Sequence, residues 1–220
     1  MRPRFHPRLI NGPFEDPGLY IPFLFENRAV IFDLGDTLPL TARDLLKISH
    51  AFITHTHVDH FIGFDRILRI SLGREKKLHL YGPRGFFKNM EGKLAAYSWN
   101  LVENYPYRLE LYLTEVRRDY LLTRECLCQN EFIPARKAVR TPYKDVIYEE
   151  PAFKISVAVL DHGIPCLGFA IKEHFHVNIN KDQLAALGIA TGPWLTDFKK
   201  APVSYTHLTL PTTWSRCWSG

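Results

Sequence analysis

The sequence predicts a mixed α/β fold. Short apolar runs of β-prone residues alternate with stretches whose apolar residues recur at helical spacing, and Gly and Pro punctuate the joints between them. No internal repeat or low-complexity tract interrupts this alternation. With 220 residues, 46% of them hydrophobic and 23% charged, the chain can bury one sizeable core or two small ones. That composition excludes a disordered chain, a collagen and a disulfide miniprotein.

In chain order, Tyr20 to Phe25 and Ala29 to Phe32 are β-prone runs joined by the turn Glu26-Asn27-Arg28, which reads as a hairpin. Its second strand ends at Asp33-Leu34-Gly35-Asp36. Thr41 is an N-cap for a helix over 42–47, and the apolar run Ala51 to Thr54 is a short buried strand. Phe61, Phe64, Ile67, Leu68 and Leu72 mark one helix face over 61–71. Lys77 to Tyr81 is a strand closed by Gly82-Pro83, and a second helix is predicted from Gly85 to about Asn104. Leu109 to Val116 and Lys154 to Leu160 read as strands, with an irregular, turn-rich region between them. A short helix from Lys181 to Leu187 ends at Gly188, ahead of Gly192-Pro193.

No window approaches the roughly 18 to 20 uncharged apolar residues of a membrane-spanning helix, and Pro3, Pro7 and Pro13 break the start where a signal peptide needs an apolar run. A cytoplasmic protein without membrane contact is expected. The four cysteines are too few for a disulfide framework, and Cys126-x-Cys128 lacks the spacing of a zinc knuckle, so reduced thiols are expected. Val203 to Thr212 resembles one reading frame of a transposon adapter used in sequencing libraries. Residues 203–220 are therefore read as a non-native tail and 1–202 as the genuine chain. Setting aside Arg216 lowers the net charge from +5 to +4, spread along the chain, which permits a polyanionic substrate without demanding one.

The chemistry concentrates in His55-Thr56-His57-Val58-Asp59-His60, three imidazoles and a carboxylate within six residues, where a buried strand breaks into a loop. These nitrogen and oxygen donors suit a borderline-soft divalent ion such as zinc. The i, i+2 spacing lets His55 and His57 converge on one ion, while Asp59 and His60 can face a second. Two ions of this kind lower the pKa of a bridging water and polarise a phosphoryl or carbonyl oxygen. Clustered imidazoles have no packing value and repel one another on protonation, which argues against a mere polar turn.

This hexad resembles the metal motif of the metallo-β-lactamase superfamily, and the resemblance implies a four-layered αβ/βα sandwich with metals at the edge between two sheets. Phe32 to Asp36 stands where that superfamily places an acidic turn behind the metal histidines. Asp33 is then either a support that accepts an imidazole N–H or simply a strand-end turn residue. Phe52 to Gly63 and Leu80 to Pro83 are similar to stretches of ribonuclease Z, the tRNA 3′-end endonuclease of the superfamily. Leu160 to Phe169 is similar to the segment that supplies a third histidine to the first zinc, which makes His162 the candidate; without the resemblance, a lone strand-end histidine reads as a satisfied polar residue. Ala185 to Trp194 resembles the start of the arm that grips the tRNA body, including its Gly-Pro step, here Gly192-Pro193, with the arm beginning near residue 173 and running to 202. Gly188 and that step read equally as a helix C-terminus and a turn.

The resemblance implies a zinc-dependent phosphodiesterase trimming tRNA 3′ ends. His55, His57 and His162 would hold one ion, and Asp59 and His60 the other, with Asp59 also orienting the attacking hydroxide or accepting its proton. Manganese or iron are alternatives to zinc. Family members of this kind are commonly homodimers. A bridging aspartate and a further histidine are expected from the second half of the fold, beyond the genuine chain, so the sandwich is expected to be incomplete at its C-terminus and this piece nearly inactive. Two competing readings stay open: another hydrolase of the same fold acting on a thioester, lactone or small phosphodiester, and a non-catalytic nucleic-acid-binding relic. Other residues draw bland expectations. His174 and His176 read as a solvated strand end, Arg66, Arg69, Arg74, Lys76 and Lys77 as solvating charges, Phe61, Phe64 and Tyr97 as core, and Arg140, Glu149 and Glu150 as surface.

Overall fold

The computed structural model describes residues 4–174 and 181–195; the tail expected over 203–220 and His176 lie outside them. Arg2–His174 forms one compact unit, and residues 181–195 belong to another.

In the first unit an eight-stranded sheet runs in sequence order: β1 (Arg8–Leu9), β2 (Leu19–Pro22), β3 (Ala29–Phe32), β4 (Ile48–Phe52), β5 (Lys76–Gly82), β6 (Leu109–Val116), β7 (Tyr120–Leu127) and β8 (Val139–Pro142). Strands β3 to β6 are mutually parallel, and the outer pairs are antiparallel. Parallel neighbours need crossovers. Between β3 and β4 the crossover is α1 (Ala42–Lys47), between β4 and β5 it is α2 (Val58–Phe61) with α3 (Phe64–Ser71), and between β5 and β6 it includes α4 (Phe86–Ala95). A second sheet of β9 (Val146–Glu150), β10 (Phe153–Asp161) and β11 (Pro165–Glu173) is ordered β11-β10-β9.

The apolar pattern assigns the layers. Strand β3 is apolar throughout because both of its faces are covered. Ala29 and Ile31 join Ile48, Leu78, Leu80 and Leu111 in a core with Leu45, Phe64, Ile67, Phe86 and Met90 of the helices. Val30, Phe52, Tyr81 and Val116 point the other way, into a second core with Ile147, Phe153, Ile155 and Leu167 of the small sheet. The order helix, sheet, sheet supplies three layers of the sandwich that the resemblance implies. A fourth, helical layer is absent from the described residues of this unit.

Several boundaries follow forces that the sequence pattern does not carry. The N-cap expected at Thr41 forms, as one half of a capping box, its hydroxyl accepting from the Asp44 amide and the Asp44 carboxylate from the Thr41 amide. The helix expected over 61–71 is instead two, because the Gly63 amide donates to Leu34 O and not back along the helix. The helix expected to reach Asn104 stops at Ala95, where the Trp99 indole turns back to donate to Leu94 O and packs edge-on against Phe132. The region expected to be irregular holds β7, β8 and β9. There Arg124 disguises the buried alternation of β7 by laying its guanidinium 4.4 Å from the Phe87 ring centroid, on the helix side of the sheet.

Phe61 and Phe64 are core, but Tyr97 is 44% exposed. Glu150 is not free surface: it binds Arg28 through two hydrogen bonds of 2.7 and 2.6 Å, tying the β2–β3 turn to the second sheet. His174 pairs with Glu149 at 3.3 Å. Most of the basic residues after the histidine loop serve the scaffold. Arg66 donates to Thr37 O, Arg74 to Ile70 O, Lys76 to Leu46 O and Ile48 O, and Lys77 pairs with Glu110. Cys126 and Cys128 are buried free thiols, and Cys166 is free and partly buried.

In residues 181–195, α5 (Lys181–Ala186) ends in a Schellman motif: Gly188, at φ 68°, donates to Ala185 O, and Ile189 donates to Leu184 O. Gly192 and Pro193 lie in the turn that follows, where Leu195 N donates to Gly192 O.

Candidate metal centre

The histidine loop leaves the carboxyl end of β4, on the side of the sheet where the turns after β3, β5 and β6 also emerge. Open α/β sheets place ligands at this edge. Here the second sheet closes over it. Leu167 N of β11 donates to Thr54 O at 2.9 Å, so the β10–β11 turn carrying His162 overhangs the loop. Gly163, at φ 72°, makes that turn possible.

One ligand atom each from His55, His57 and His162 lies within 4.8 Å of the others. His55 Nε2 and His57 Nδ1 are 3.0 Å apart, and the His162 ring centroid is 5.2 Å from that of His55 and 5.8 Å from that of His57. His55 is buried, while His57 and His162 are exposed. Burial, reinforced by the neighbouring imidazoles His60, His57 and His162, pushes the His55 pKa down to about 4. The ring is therefore neutral at neutral pH, as a metal ligand must be. Three converging imidazoles, with no carboxylate between them and no core to fill, fit one divalent ion.

The second pair is arranged differently. The His60 ring lies 4.0 Å from that of His55, its Nε2 is 3.5 Å from Asp59 Oδ2, and its Nδ1 is 3.0 Å from Asp33 Oδ2. Asp33 therefore stands directly behind His60. Burial raises the Asp33 pKa, opposed by the Thr54 amide and the His60 ring. The Thr54 amide and hydroxyl both donate to Asp33, at 2.8 and 2.9 Å, and the same hydroxyl is 3.0 Å from His55 Nδ1. Since that hydroxyl has one proton and gives it to Asp33, it accepts from His55 Nδ1–H. The network thus assigns the Nδ1 protons of His55 and His60 to Thr54 and Asp33 and leaves each Nε2 as the unprotonated nitrogen, that of His55 facing His57 and that of His60 facing Asp59.

Thr54 escaped the sequence reading. Its position at the strand end, immediately before the first histidine, was the available signal. Asn89 of α4 was also missed; its side chain donates to Thr56 Oγ1 at 2.6 Å and holds the loop between the two leading histidines. The backbone is fixed as tightly as the side chains. Asp33 adopts φ 56°, Leu34 N donates to His60 O, and Gly63 N donates to Leu34 O, so the acidic turn and the histidine loop grip each other.

Asp33→Asn should weaken divalent metal binding about 10- to 100-fold, the usual cost of losing a carboxylate behind a ligating histidine. Asparagine tolerates the left-handed backbone, so isothermal titration with zinc reads the lost charge and not a refolded turn. Unchanged affinity would remove Asp33 from the site.

No protein-family model matches the chain. It is 31% identical over 165 residues to the ribonuclease Z of Deinococcus radiodurans, covering 74% of this chain and 49% of that one. It is 27% identical over 186 residues to that of Methanocaldococcus jannaschii, covering 81% and 49%, and 30% identical over 192 residues to that of Anoxybacillus flavithermus, covering 82% and 50%. Among solved structures, human tRNase Z, short form, aligns at 18% identity with a TM-score of 0.42, covering 72% of this chain and 58% of its own. The chain spans about half the length of the curated relatives it matches. It is ribonuclease Z-like in sequence.

Proposed function

From this ribonuclease Z-like sequence and its histidine cluster we infer that the chain carries the metal-binding part of a metallo-β-lactamase-fold phosphodiesterase acting on tRNA 3′ ends. The observation that carries the reading is the meeting of His55, His57 and His162, from two different sheets, within 4.8 Å. Those three would hold one ion, and Asp59 with His60 a second, zinc being the metal that best suits the donor set. When bound, such ions supply a nucleophilic water at neutral pH and Lewis-acid charge at a phosphoryl oxygen.

The protein's own groups do the rest. Asp33 and Thr54 retain the Nδ1 protons of His60 and His55 and so fix which nitrogen of each ring faces the site. The Asp59 side chain is half exposed beside His60 Nε2, where its Oδ2 accepts the proton of the attacking water. The overhanging β10–β11 turn covers the cluster on one side. Residues 181–195, with the Gly192-Pro193 turn, would supply a remote contact to the tRNA body, whose binding energy orients the scissile phosphate.

The test is cleavage of a 3′-extended tRNA precursor by this chain, alone and continued through the length of its relatives that it does not span. The continued protein should release a 3′-hydroxyl product with added zinc and lose that activity in EDTA or on His55→Ala. Metal binding with an intact precursor would overturn the substrate.

A further inference from the structure

Beside the histidine cluster, the turns after β5 and β6 and the β10–β11 hairpin enclose a groove of about 540 Å³. Arg84, Arg117 and Arg118 line one wall, and Val159, Leu160 and Ile164 line the other. Asp161 and Gly163, the neighbours of His162, also line it, so the groove and the candidate metal centre share the hairpin turn. We propose that this groove binds the phosphodiester chain of single-stranded RNA and leads it to the histidine cluster. The proposal deepens the phosphodiesterase reading and rests on it for the identity of the strand.

Charge and availability argue for it. Among the lining residues are three arginines and a single carboxylate, that of Asp161, which already accepts from the Gly163 amide at 2.9 Å; of the three arginines, only Arg117 is ion-paired among the described residues, with Glu115. Arg84 and Arg118 are exposed and make no hydrogen bond or ion pair among the described residues, whereas Arg66, Lys76, Lys77 and Arg124 are all engaged by the scaffold. Arg117 is held in place through its pair with Glu115, whose Oε1 accepts from the Gly85 and Phe87 amides. Its Nε is buried without an acceptor. A planar, fixed fork and two free ones in the same lining suit phosphate oxygens better than mobile ammonium groups would. Opposite them, Val159 and Leu160, 50% and 51% exposed, offer apolar surface to ribose and base faces without reading sequence.

The test is fluorescence anisotropy of a labelled single-stranded oligouridylate titrated with the full chain in EDTA, over a series of KCl concentrations. Arg84→Ala/Arg118→Ala should weaken binding on the order of 10-fold and reduce the salt slope by about 1.4, two phosphate contacts at roughly 0.7 each. Arg84→Lys/Arg118→Lys should restore most of the slope, which separates lost charge from misfolding. Arg69→Ala on α3 should change neither quantity. The proposal is overturned if the wild-type chain does not bind the oligonucleotide, or if the alanine pair binds with unchanged slope, or if Arg69→Ala weakens binding equally. Binding through the two arginines, with the tRNA precursor left uncleaved by the continued, metal-loaded protein, would sink the phosphodiesterase reading and leave the groove standing.

Discussion

His162→Ala is expected to lower zinc affinity at least about 100-fold while leaving unfolding by urea unchanged within roughly 0.5 kcal/mol. The two halves of this expectation have different causes. His162 is exposed at the tip of the β10–β11 turn and fills no core, so its removal costs little packing. It is also the one member of the cluster contributed by the second sheet, and without it two imidazoles of one loop remain. His55→Ala should abolish binding as completely but also destabilise the fold. Its ring is 5% exposed and lies against those of His57, His60 and His162. Competition with a chromophoric chelator measures the affinities. Unchanged zinc affinity in His162→Ala would show that the two sheets do not share an ion.

The second large effect is steric. A Cβ on Gly63 would lie 2.1 Å from Gly35 O and 2.6 Å from Thr37 Cγ2, and one on Gly35 would lie 2.6 Å from Asp59 O and 2.7 Å from Pro17 O. The main obstacles are backbone atoms of the acidic turn and the histidine loop, which cannot swing aside as a side chain could. Gly63→Ala should therefore cost about 3 kcal/mol or more, at the upper end of overpacking penalties, and should weaken metal binding by displacing the loop. Gly92→Ala supplies the contrast. That glycine sits inside α4 with nothing within 4 Å of its missing Cβ, so alanine there should stabilise by roughly 0.5 to 1 kcal/mol. Urea unfolding of both variants decides the matter; a neutral Gly63→Ala would mean that the turn and loop do not grip as described.

Local chemistry made the parallel half of the sheet legible. Ala29 to Phe32 is apolar on both faces, Leu109, Leu111 and Leu113 recur at strand spacing along β6, and Thr41 announces α1. Where a boundary depends on a distant partner, the sequence is mute. Nothing local to Gly63 reveals that its amide will donate to Leu34 O, and nothing local to Arg124 reveals that its guanidinium will cover Phe87. The candidate site divides in the same way. Six consecutive residues present the donors openly, and the acidic turn at Asp33 could be read as their support. Thr54, whose single hydroxyl links Asp33 to His55, was hidden because its role exists only once β3 and β4 lie side by side. The groove arginines were hidden for a similar reason: Arg84 and Arg118 meet only because β5 and β6 are parallel neighbours that end together.

Zinc K-edge X-ray absorption on the metal-loaded chain counts the donors around the ion. Imidazole nitrogens are expected at about 2.0 to 2.1 Å, three for the first equivalent of zinc, falling to two in His162→Ala. A spectrum dominated by oxygen donors, or one that His162→Ala leaves unaltered, would contradict that donor set.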